Sequence, residues 1–415
     1  MRRPLSVLLL ALLPAVVVAQ DGVSSAGAEH LTRYLDQEVA GGRAAGIVAL
    51  VLRDGQVVYQ HANGMADREA GRPMAMNTEF RIASQTKAIT TVAAMTLVEE
   101  GRMGLGDPIS RWLPAFAHTT VSEAYDSAGV THHRTVPAKR QITIHDLMTH
   151  TAGMSYGRES WLDSTYALRG LGHEAGYGWY FAHKTMDICQ AIAPLAELPL
   201  AAQPGERWVY GYALDVLGCI IEKESGMSLA AFIRQRITDP LGMLDTKFCL
   251  DGPEGQRLAA VYALGNGRLT RAPDGPLGQG DYVDGPCRAF AGGAGLISTA
   301  ADYARFLEML REDGTLDGVR IVSPATVRLM TRDHVGDLYR GPEVGFGLAF
   351  EILEDPGRAA RYGEPGAYSW GGAYDTMYWV DPAEHLVAVM MVQLLPANGS
   401  RLQDRYKTLV YQMLR

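Results

Sequence analysis

The sequence predicts a mixed α/β protein of the α+β type, in which a sheet is flanked by helices. Apolar, β-prone runs lie near both ends of the chain, and segments with helical periodicity fill the middle. A sheet built from both termini, with a mostly helical second subdomain beside it, satisfies this order. At 415 residues, the chain is long enough for one large domain or two closely packed ones.

The elements follow from local patterns. Strands are predicted at 46–52, 57–59, 377–380 and 386–392. The first two are joined by Asp54-Gly55, which is a strong hairpin signal between apolar runs. Helices are predicted over 29–39, 87–100, 142–148, 213–224, 229–237 and 401–414. Residues 251–286 are rich in Gly, Pro and Asp, and we predict that they form a long surface excursion.

Residues 1–19 are predicted to be a secretory signal peptide. Two arginines precede an apolar run, and Val17-Val18-Ala19 supplies a small-residue cleavage site. We therefore expect a secreted or periplasmic protein whose mature chain is 20–415. Losing the two arginines changes the formal net charge from −8 to −10. This acidic balance argues against nucleic-acid binding and against stable membrane association. The sequence leaves the oligomeric state open.

The chain has four cysteines, all in its middle part: Cys189, Cys219, Cys249 and Cys287. Their spacing is too wide for a zinc knuckle. Export permits disulfides, and four cysteines allow three pairings, but the sequence does not choose among them.

The most informative motif is Ser84-Gln85-Thr86-Lys87, where a short extended run gives way to a helix. Residues three apart share a helical face with Cβ atoms roughly 5–6 Å apart, so the Lys87 amine can reach the Ser84 hydroxyl. A lysine with a lowered pKa can take the proton of a serine, and a helix N-terminus supplies positive potential. The Ser84 N–H is also placed to donate to an oxyanion.

Two further segments carry candidate site residues. Tyr210-Gly211-Tyr212 opens the helix at 213–224, and a phenol near a lysine ammonium can relay a proton. Trp370-Gly371-Gly372-Ala373 is predicted to enter a strand, where paired glycines allow close backbone approach and the Ala373 N–H can serve as a second oxyanion donor.

In this order, the three segments resemble the serine β-lactamase and penicillin-binding-protein-like superfamily, and most closely its family VIII carboxylesterases, which are similar to class C β-lactamases. The stretches 81–87, 144–153 and 291–299 add to the resemblance. It implies an antiparallel sheet flanked by helices, with a sheet subdomain at about 20–105 and 287–415. The helical subdomain would then span about 106–286.

The resemblance also implies roles. Ser84 would be the acyl-accepting nucleophile, Lys87 its base and Tyr210 the proton relay. The amides of Ser84 and Ala373 would form the oxyanion hole. The substrate-binding residues would be Trp370, Gly371, Gly372 and Tyr212. No cofactor and no metal are expected.

Two departures favour an ester substrate. Many relatives that hydrolyse β-lactams carry Lys-Thr-Gly where this chain has Trp370-Gly371-Gly372, and Tyr212 replaces the amide of Tyr-x-Asn. The chain thus lacks a cation for a β-lactam carboxylate at that place. We expect an exported serine hydrolase of short-chain carboxylic esters that works through an acyl-enzyme. The alternatives are a β-lactamase, a D-amino-acid peptidase, or a penicillin- or cell-wall-binding sensor without turnover, and acyl transfer to an alcohol also stays open.

Two other patterns point elsewhere and are set aside. Gly153-Met154-Ser155-Tyr156-Gly157 matches the Gly-x-Ser-x-Gly elbow of α/β-hydrolases, but it follows a helical stretch where the elbow needs a strand. The five histidines between 118 and 150 show no tight ligand spacing.

Overall fold

A computed structural model describes residues 22–127, 129–159, 161–172, 180–396 and 401–415. The predicted signal peptide at 1–19 lies outside the described residues. The strands are β1 Gly46–Arg53, β2 Gln56–Asp67, β3 Arg72–Pro73, β4 Phe80–Arg81, β5 Thr120–Ser127, β6 Val130–Pro137, β7 Tyr262–Gly265, β8 Arg268–Arg271, β9 Ile297–Ser298, β10 Thr315–Leu316, β11 Val319–Arg320, β12 Val344–Phe346, β13 Glu351–Leu353, β14 Tyr368–Gly371, β15 Met377–Asp381 and β16 Leu386–Met391.

The helices lie mainly between these strands. In the described ranges they are α1 Ser25–Ala40, α2 Thr86–Glu99, α3 Ile144–Met148, α4 Asp163–Ala167, α5 Ile188–Ile192, α6 Ala213–Ser225, α7 Leu229–Ile233, α8 Gly252–Gly255, α9 Ala300–Arg311, α10 Pro324–Met330, α11 Pro356–Ala359 and α12 Leu402–Met413. Short 3₁₀ turns lie at Ala83–Gln85, Ile109–Arg111, Pro114–His118, Ala193–Glu197 and Gly336–Leu338, and a π turn spans Arg234–Thr238.

A large antiparallel sheet joins the two ends of the chain, as predicted. Its eight strands run in the order β12-β13-β14-β15-β16-β1-β2-β3, so β1 pairs with β16 from the far end of the sequence. The predicted hairpin at Asp54-Gly55 and the strand pair around Asp381 are both present. The fold class is therefore confirmed: an antiparallel sheet flanked by helices.

Strand β1 is apolar from Gly46 to Leu52 because both of its faces are covered. Ile47, Ala49 and Val51 pack into the core that α1 and α12 share with the sheet. The alternate residues Val48 and Leu50 belong to the larger core on the other face, where α9 packs against β1 and β16. Successive side chains of a strand point to opposite faces of the sheet, so a strand that is buried on both faces does not alternate between apolar and polar residues.

Several elements differ from expectation. The predicted helix at 142–148 begins only at Ile144, because Thr143 caps it with a hydrogen bond to the Asp146 N–H. The stretch 229–237 is an α-helix only to Ile233, where it widens into the π turn. Residues 251–286 are not a plain surface excursion, since they hold α8, the β7–β8 hairpin and the fully buried Tyr282.

The four cysteines form two disulfides, Cys189–Cys219 and Cys249–Cys287. The first joins α5 to α6, and the second closes a loop with a sequence separation of 38. In the sequence, both disulfides lie between β3 and β12, and thus between the two sets of strands, β1–β3 and β12–β16, that form the large sheet. The subdomain boundaries near 105 and 287 stay predictions. Within the described ranges, no helix combines the length and the hydrophobicity needed to cross a bilayer.

Candidate active site

Ser84 lies in a 3₁₀ turn between a short strand and a long helix. β4 ends at Arg81, the turn spans Ala83–Gln85, and α2 begins at Thr86. Ala83 is held at φ 42°, a costly conformation for a residue with a side chain, and such strain is concentrated at functional sites. Ser84 is partly exposed, whereas its neighbours on both sides are buried. The sequence-based expectation that this serine opens a helix is met.

The Ser84 side chain contacts the amine of Lys87, which lies one helical turn further along the chain. Its Nζ lies 3.2 Å from the Ser84 Oγ, and it also donates to the Gly293 carbonyl at 2.6 Å and to the Tyr156 hydroxyl at 3.2 Å. Only 1% of Lys87 is exposed. These three polar partners hold the nitrogen against the serine.

The Gly293 carbonyl comes from a glycine-rich segment that braces the serine turn. The Leu296 carbonyl accepts a hydrogen bond from the Ile82 N–H at 3.1 Å, and the Thr86 Oγ1 accepts one from the Leu296 N–H at 3.1 Å. The next residues form β9, which pairs with β4 directly before the serine. The segment therefore fixes both ends of the turn and places the Gly293 oxygen against Lys87.

A buried carboxylate lies behind this contact. Asp215 in α6 is fully buried, and its Oδ1 accepts a hydrogen bond from the Gly293 N–H at 2.9 Å. Its Oδ2 has no hydrogen-bond partner among the described residues. Burial raises the pKa of Asp215 to about 6, against an opposing attraction from Lys87. Gly293 has to be a glycine, because a Cβ there would lie 2.6 Å from the Asp215 Oδ2.

Two tyrosines flank the Lys87 ammonium. The Tyr210 ring lies under the nitrogen, with 4.6 Å from Nζ to the ring centroid, and the Tyr210 hydroxyl accepts a hydrogen bond from the Trp370 indole at 3.2 Å. The Tyr156 hydroxyl instead accepts from Lys87 directly. Burial raises the pKa of Tyr156 well above its usual range, so Tyr156 stays a neutral phenol. Both tyrosines line the cleft, but Tyr210 is half-buried whereas Tyr156 is only 2% exposed, so Tyr210 is the more accessible of the two to a ligand.

Tyr212 does not lie where the resemblance implied. It is 1% exposed, and its ring packs behind Tyr156 with the centroids 4.9 Å apart. Its hydroxyl donates to the Leu171 carbonyl. Tyr212 is the residue that precedes α6, and its side chain turns into the core where Tyr210 turns outward. The structure thus corrects the expected substrate contact: Tyr212 supports Tyr156.

The segment 370–373 forms the opposite wall. β14 ends at Gly371, so the segment leaves a strand, whereas the sequence suggested that it enters one. A Cβ at Gly372 would lie 2.4 Å from the Ile82 carbonyl oxygen and 2.2 Å from the Thr376 Oγ1. Only glycine allows this approach of the turn after β14 to the residues before Ser84.

The Ala373 amide lies in the turn that follows β14. The Gly372 N–H donates to the Thr376 carbonyl at 2.8 Å and the Asp375 N–H donates to the Gly372 carbonyl at 3.0 Å. Among the described residues, the Ala373 N–H has no such acceptor. Asp375 accepts a hydrogen bond from Gln403 at 2.8 Å, which ties the turn to α12. An anchored turn with a spare donor suits the stabilisation of an oxyanion.

These groups open into one cleft of about 830 Å³. Of the predicted site residues, Ser84, Tyr210, Trp370, Gly371, Gly372 and Ala373 line it, whereas Lys87 and Tyr212 lie beneath its floor. Trp208 stacks on Tyr210 with the ring centroids 5.5 Å apart. The described residues include no group of three or more His, Cys, Asp or Glu side chains that could hold a metal ion. The cleft has room for a small molecule beside the Ser84 hydroxyl, with Lys87 beneath its floor and the Ala373 amide in its wall.

The sequence reasoning missed Tyr156 and Asp215. Tyr156 belongs to the Gly-x-Ser-x-Gly match, which lies in the loop after α3 and not in a strand–turn–helix. Its serine, Ser155, is 1% exposed and accepts a hydrogen bond from the Gly157 N–H. The only signal available for Asp215 was an acidic residue on the apolar face of α6. Burying a charge is costly, so an acid at such a position indicates a function.

The charge on Asp215 predicts a pH-dependent cost in stability. The folded protein holds this proton up to about pH 6, whereas the unfolded chain releases it near 3.8, so the free energy of unfolding falls as the pH rises between these values. Asp215→Asn keeps the acceptor for Gly293 and cannot ionise. We expect it to be more stable than the wild type by up to about 3 kcal/mol at pH 8, with little difference at pH 4.

Urea denaturation at both pH values measures this effect. Asp274→Asn, at an exposed loop position, is the control for loss of one negative charge. If Asp215→Asn were less stable than the wild type at pH 8, the ionised carboxylate would contribute a net stabilisation, which would contradict this prediction.

Comparison with known proteins identifies the family of the chain. A family model described as Beta-lactamase matches residues 31–412. Esterase EstB of Burkholderia gladioli is 34% identical over 376 residues, which cover 88% of this chain and 90% of that protein. Protein Rv1367c of Mycobacterium tuberculosis is 38% identical over 368 residues, with coverage of 86% and 87%.

A solved structure agrees along almost the whole chain. EstCE1, described as a hydrolase with promiscuous acyltransferase activity, superposes with a TM-score of 0.78 at 30% identity. The match covers 93% of this chain and 98% of that one.

Proposed function

The chain belongs to the beta-lactamase family, and we propose that it hydrolyses carboxylic esters through an acyl-enzyme on Ser84. Its relationship to esterases makes it a serine hydrolase. The observation that carries the proposed mechanism is the 3.2 Å contact between the Lys87 Nζ and the Ser84 Oγ at the edge of the cleft. Within the superfamily, we assign it to the family VIII carboxylesterases.

Acylation follows from the groups around the serine. Lys87, in its neutral form, takes the Ser84 proton while the Oγ attacks the ester carbonyl carbon. The carbonyl oxygen becomes an oxyanion and accepts hydrogen bonds from the Ser84 and Ala373 amides. As the carbon–oxygen bond to the alcohol breaks, Tyr210 passes a proton to the departing oxygen and is reprotonated from the Lys87 ammonium beside it.

Deacylation reverses these roles. A water molecule enters in place of the alcohol and attacks the acyl carbon. Its proton passes to the neutral Lys87, either directly or through Tyr210, which accepts it while giving its own proton to Lys87. The acid leaves, and Ser84 recovers its proton. An alcohol in place of water gives acyl transfer through the same intermediate, in keeping with the acyltransferase activity named for EstCE1.

Export remains part of this proposal. The two disulfides favour an oxidising compartment, which agrees with a signal peptide at 1–19 and a secreted or periplasmic location. The working partner is a small-molecule ester.

The aromatic wall favours esters over β-lactams. Trp370 replaces the lysine that many lactam-hydrolysing relatives have beside the oxyanion strand, and it packs against Tyr210 and Phe346. We expect kcat/KM for a short-chain p-nitrophenyl ester to exceed that for a chromogenic cephalosporin or a D-alanyl amide by at least about tenfold, the value of one missing charged hydrogen bond.

Assays of the purified mature protein on the three substrates test the preference. A higher kcat/KM on the cephalosporin or on the D-alanyl amide would move the protein to the β-lactamase or the peptidase branch. A stable acyl-Ser84 that is never discharged would instead indicate a sensor.

A further inference from the structure

The charge of the cleft is opposite to that of the protein. Its charged lining residues are Arg158, Arg340, Arg361, Lys407, Glu351 and Asp404. Four cations against two carboxylates leave a net charge of +2, whereas the whole chain has a formal net charge of −8. A cleft of this sign in an acidic protein attracts anions, because its low-dielectric walls focus the field.

One of the two carboxylates is already occupied. Glu351 in β13 binds Arg361 at 2.6 Å and Arg340 at 3.1 Å, and it accepts a hydrogen bond from the Tyr339 hydroxyl at 2.7 Å. Two guanidinium groups thus share a single negative charge. This cluster keeps an unbalanced positive charge at one end of the cleft.

Lys407 in α12 lies at the same end and is half-buried. Its Nζ stands 5.6 Å from the centroid of the Trp379 ring. Within the described chain, no carboxylate oxygen comes within salt-bridge distance of this nitrogen. Desolvation by burial, reinforced by Arg361, lowers the pKa of Lys407 to about 8, so the side chain is still mostly an ammonium at pH 7.

The acids near Lys407 do not neutralise it. Asp381 accepts hydrogen bonds from the Tyr411 hydroxyl at 2.7 Å and from the Glu364 N–H at 2.9 Å. Asp404, one turn earlier in α12, is exposed to solvent, where its attraction is screened. A partly buried ammonium without a counter-ion is costly unless a ligand supplies one.

We propose that the cleft selects esters that carry a carboxylate, and that Lys407 binds this carboxylate together with the Arg340–Arg361 cluster. The proposal rests on the ester hydrolysis proposed above and adds the substrate class. It is compatible with the missing lysine beside the oxyanion strand, because the cations lie on α12 and around β13 instead. The carboxylate belongs to the acyl part or to the alcohol part of the ester.

Matched ester pairs test the proposal and distinguish the two positions. Mono-p-nitrophenyl adipate and p-nitrophenyl hexanoate differ only in a carboxylate at the end of the acyl chain. Meta-acetoxybenzoate and phenyl acetate differ only in a carboxylate on the alcohol part. We expect the wild type to prefer the anionic member of at least one pair, and Lys407→Met to lower that anionic-to-neutral ratio of kcat/KM by about tenfold.

Lys223→Met is the matched control, since Lys223 is an exposed lysine of α6 that does not line the cleft. It should leave the ratio unchanged. Added salt should lower kcat/KM of the wild type for the anionic ester and not for the neutral one, which keeps the test decisive if Lys407→Met does not fold.

The result that would overturn the proposal is a wild type that disfavours both anionic esters. A Lys407→Met ratio equal to that of the wild type, or, should that variant not fold, an absence of the salt effect, would overturn it too. These failures are distinct from failure of the proposed function. The neutral esters report that function alone, and their hydrolysis must depend on Ser84 whether or not a carboxylate is recognised.

Discussion

Replacing Ser84 by alanine should lower kcat/KM for ester hydrolysis by at least about a thousandfold. The Ser84 Oγ lies 3.2 Å from the Lys87 Nζ, on a partly exposed side chain that lines the cleft. Alanine removes the atom that forms the acyl bond, while the backbone amide at this position stays in place. The variant should still fold, because Ser84 is partly exposed and its side chain fills no core position.

Steady-state kinetics on p-nitrophenyl butyrate measures the loss. Ser164→Ala is the matched control, since Ser164 is an exposed serine of α4. Full activity in Ser84→Ala would remove Ser84 as the nucleophile and with it the proposed mechanism.

Replacing Lys87 by methionine should lower kcat by about a hundredfold to ten-thousandfold, the range for loss of a positioned general base. Methionine keeps most of the buried volume and removes the nitrogen that Ser84, Tyr156 and Gly293 share. The effect should fall mainly on kcat, because Lys87 lies under the floor of the cleft and does not line it.

Lys87→Arg separates a base from a fixed positive charge. A guanidinium keeps the charge but does not give up its proton at any working pH, so this variant should be as inactive as Lys87→Met. Recovery of activity in Lys87→Arg would show that the site needs the charge alone. The two variants are compared by kcat against pH, with circular dichroism to verify folding.

The sequence predicted those parts of the fold that depend on local pattern. The strand pair at Asp54-Gly55 and the helix after Ser84 follow from turn chemistry and from apolar spacing, both of which act over a few residues. The Ser84–Lys87 contact was predictable for the same reason, since an i, i+3 pair is fixed by the helix itself.

The remainder of the site depends on packing between distant segments. Trp370 and Tyr210 meet across 160 residues, and only the resemblance to a known family suggested that they belong together. Tyr156 and Asp215 reach Lys87 through folds of the chain that no local pattern describes. Tyr212 was predicted to contact substrate because it belongs to a recognised motif, but the motif does not determine the direction of its side chain. In the structure this side chain packs behind Tyr156.

The charge of the cleft shows the same limit. Glu351 lies in β13, Arg361 in the segment after α11 and Lys407 in α12, so their charge balance emerges only when the sheet is assembled. The two disulfides were likewise open until the fold brought α5 beside α6.

The most direct test of the central claim is to find the atom that holds the acyl group. The protein is mixed with p-nitrophenyl acetate, quenched in acid within the first turnover, digested and analysed by peptide mass spectrometry. We predict a single acetyl group on Ser84, absent from the Ser84→Ala variant. An acetyl group on Ser155, or turnover without any acyl-protein, would contradict the account.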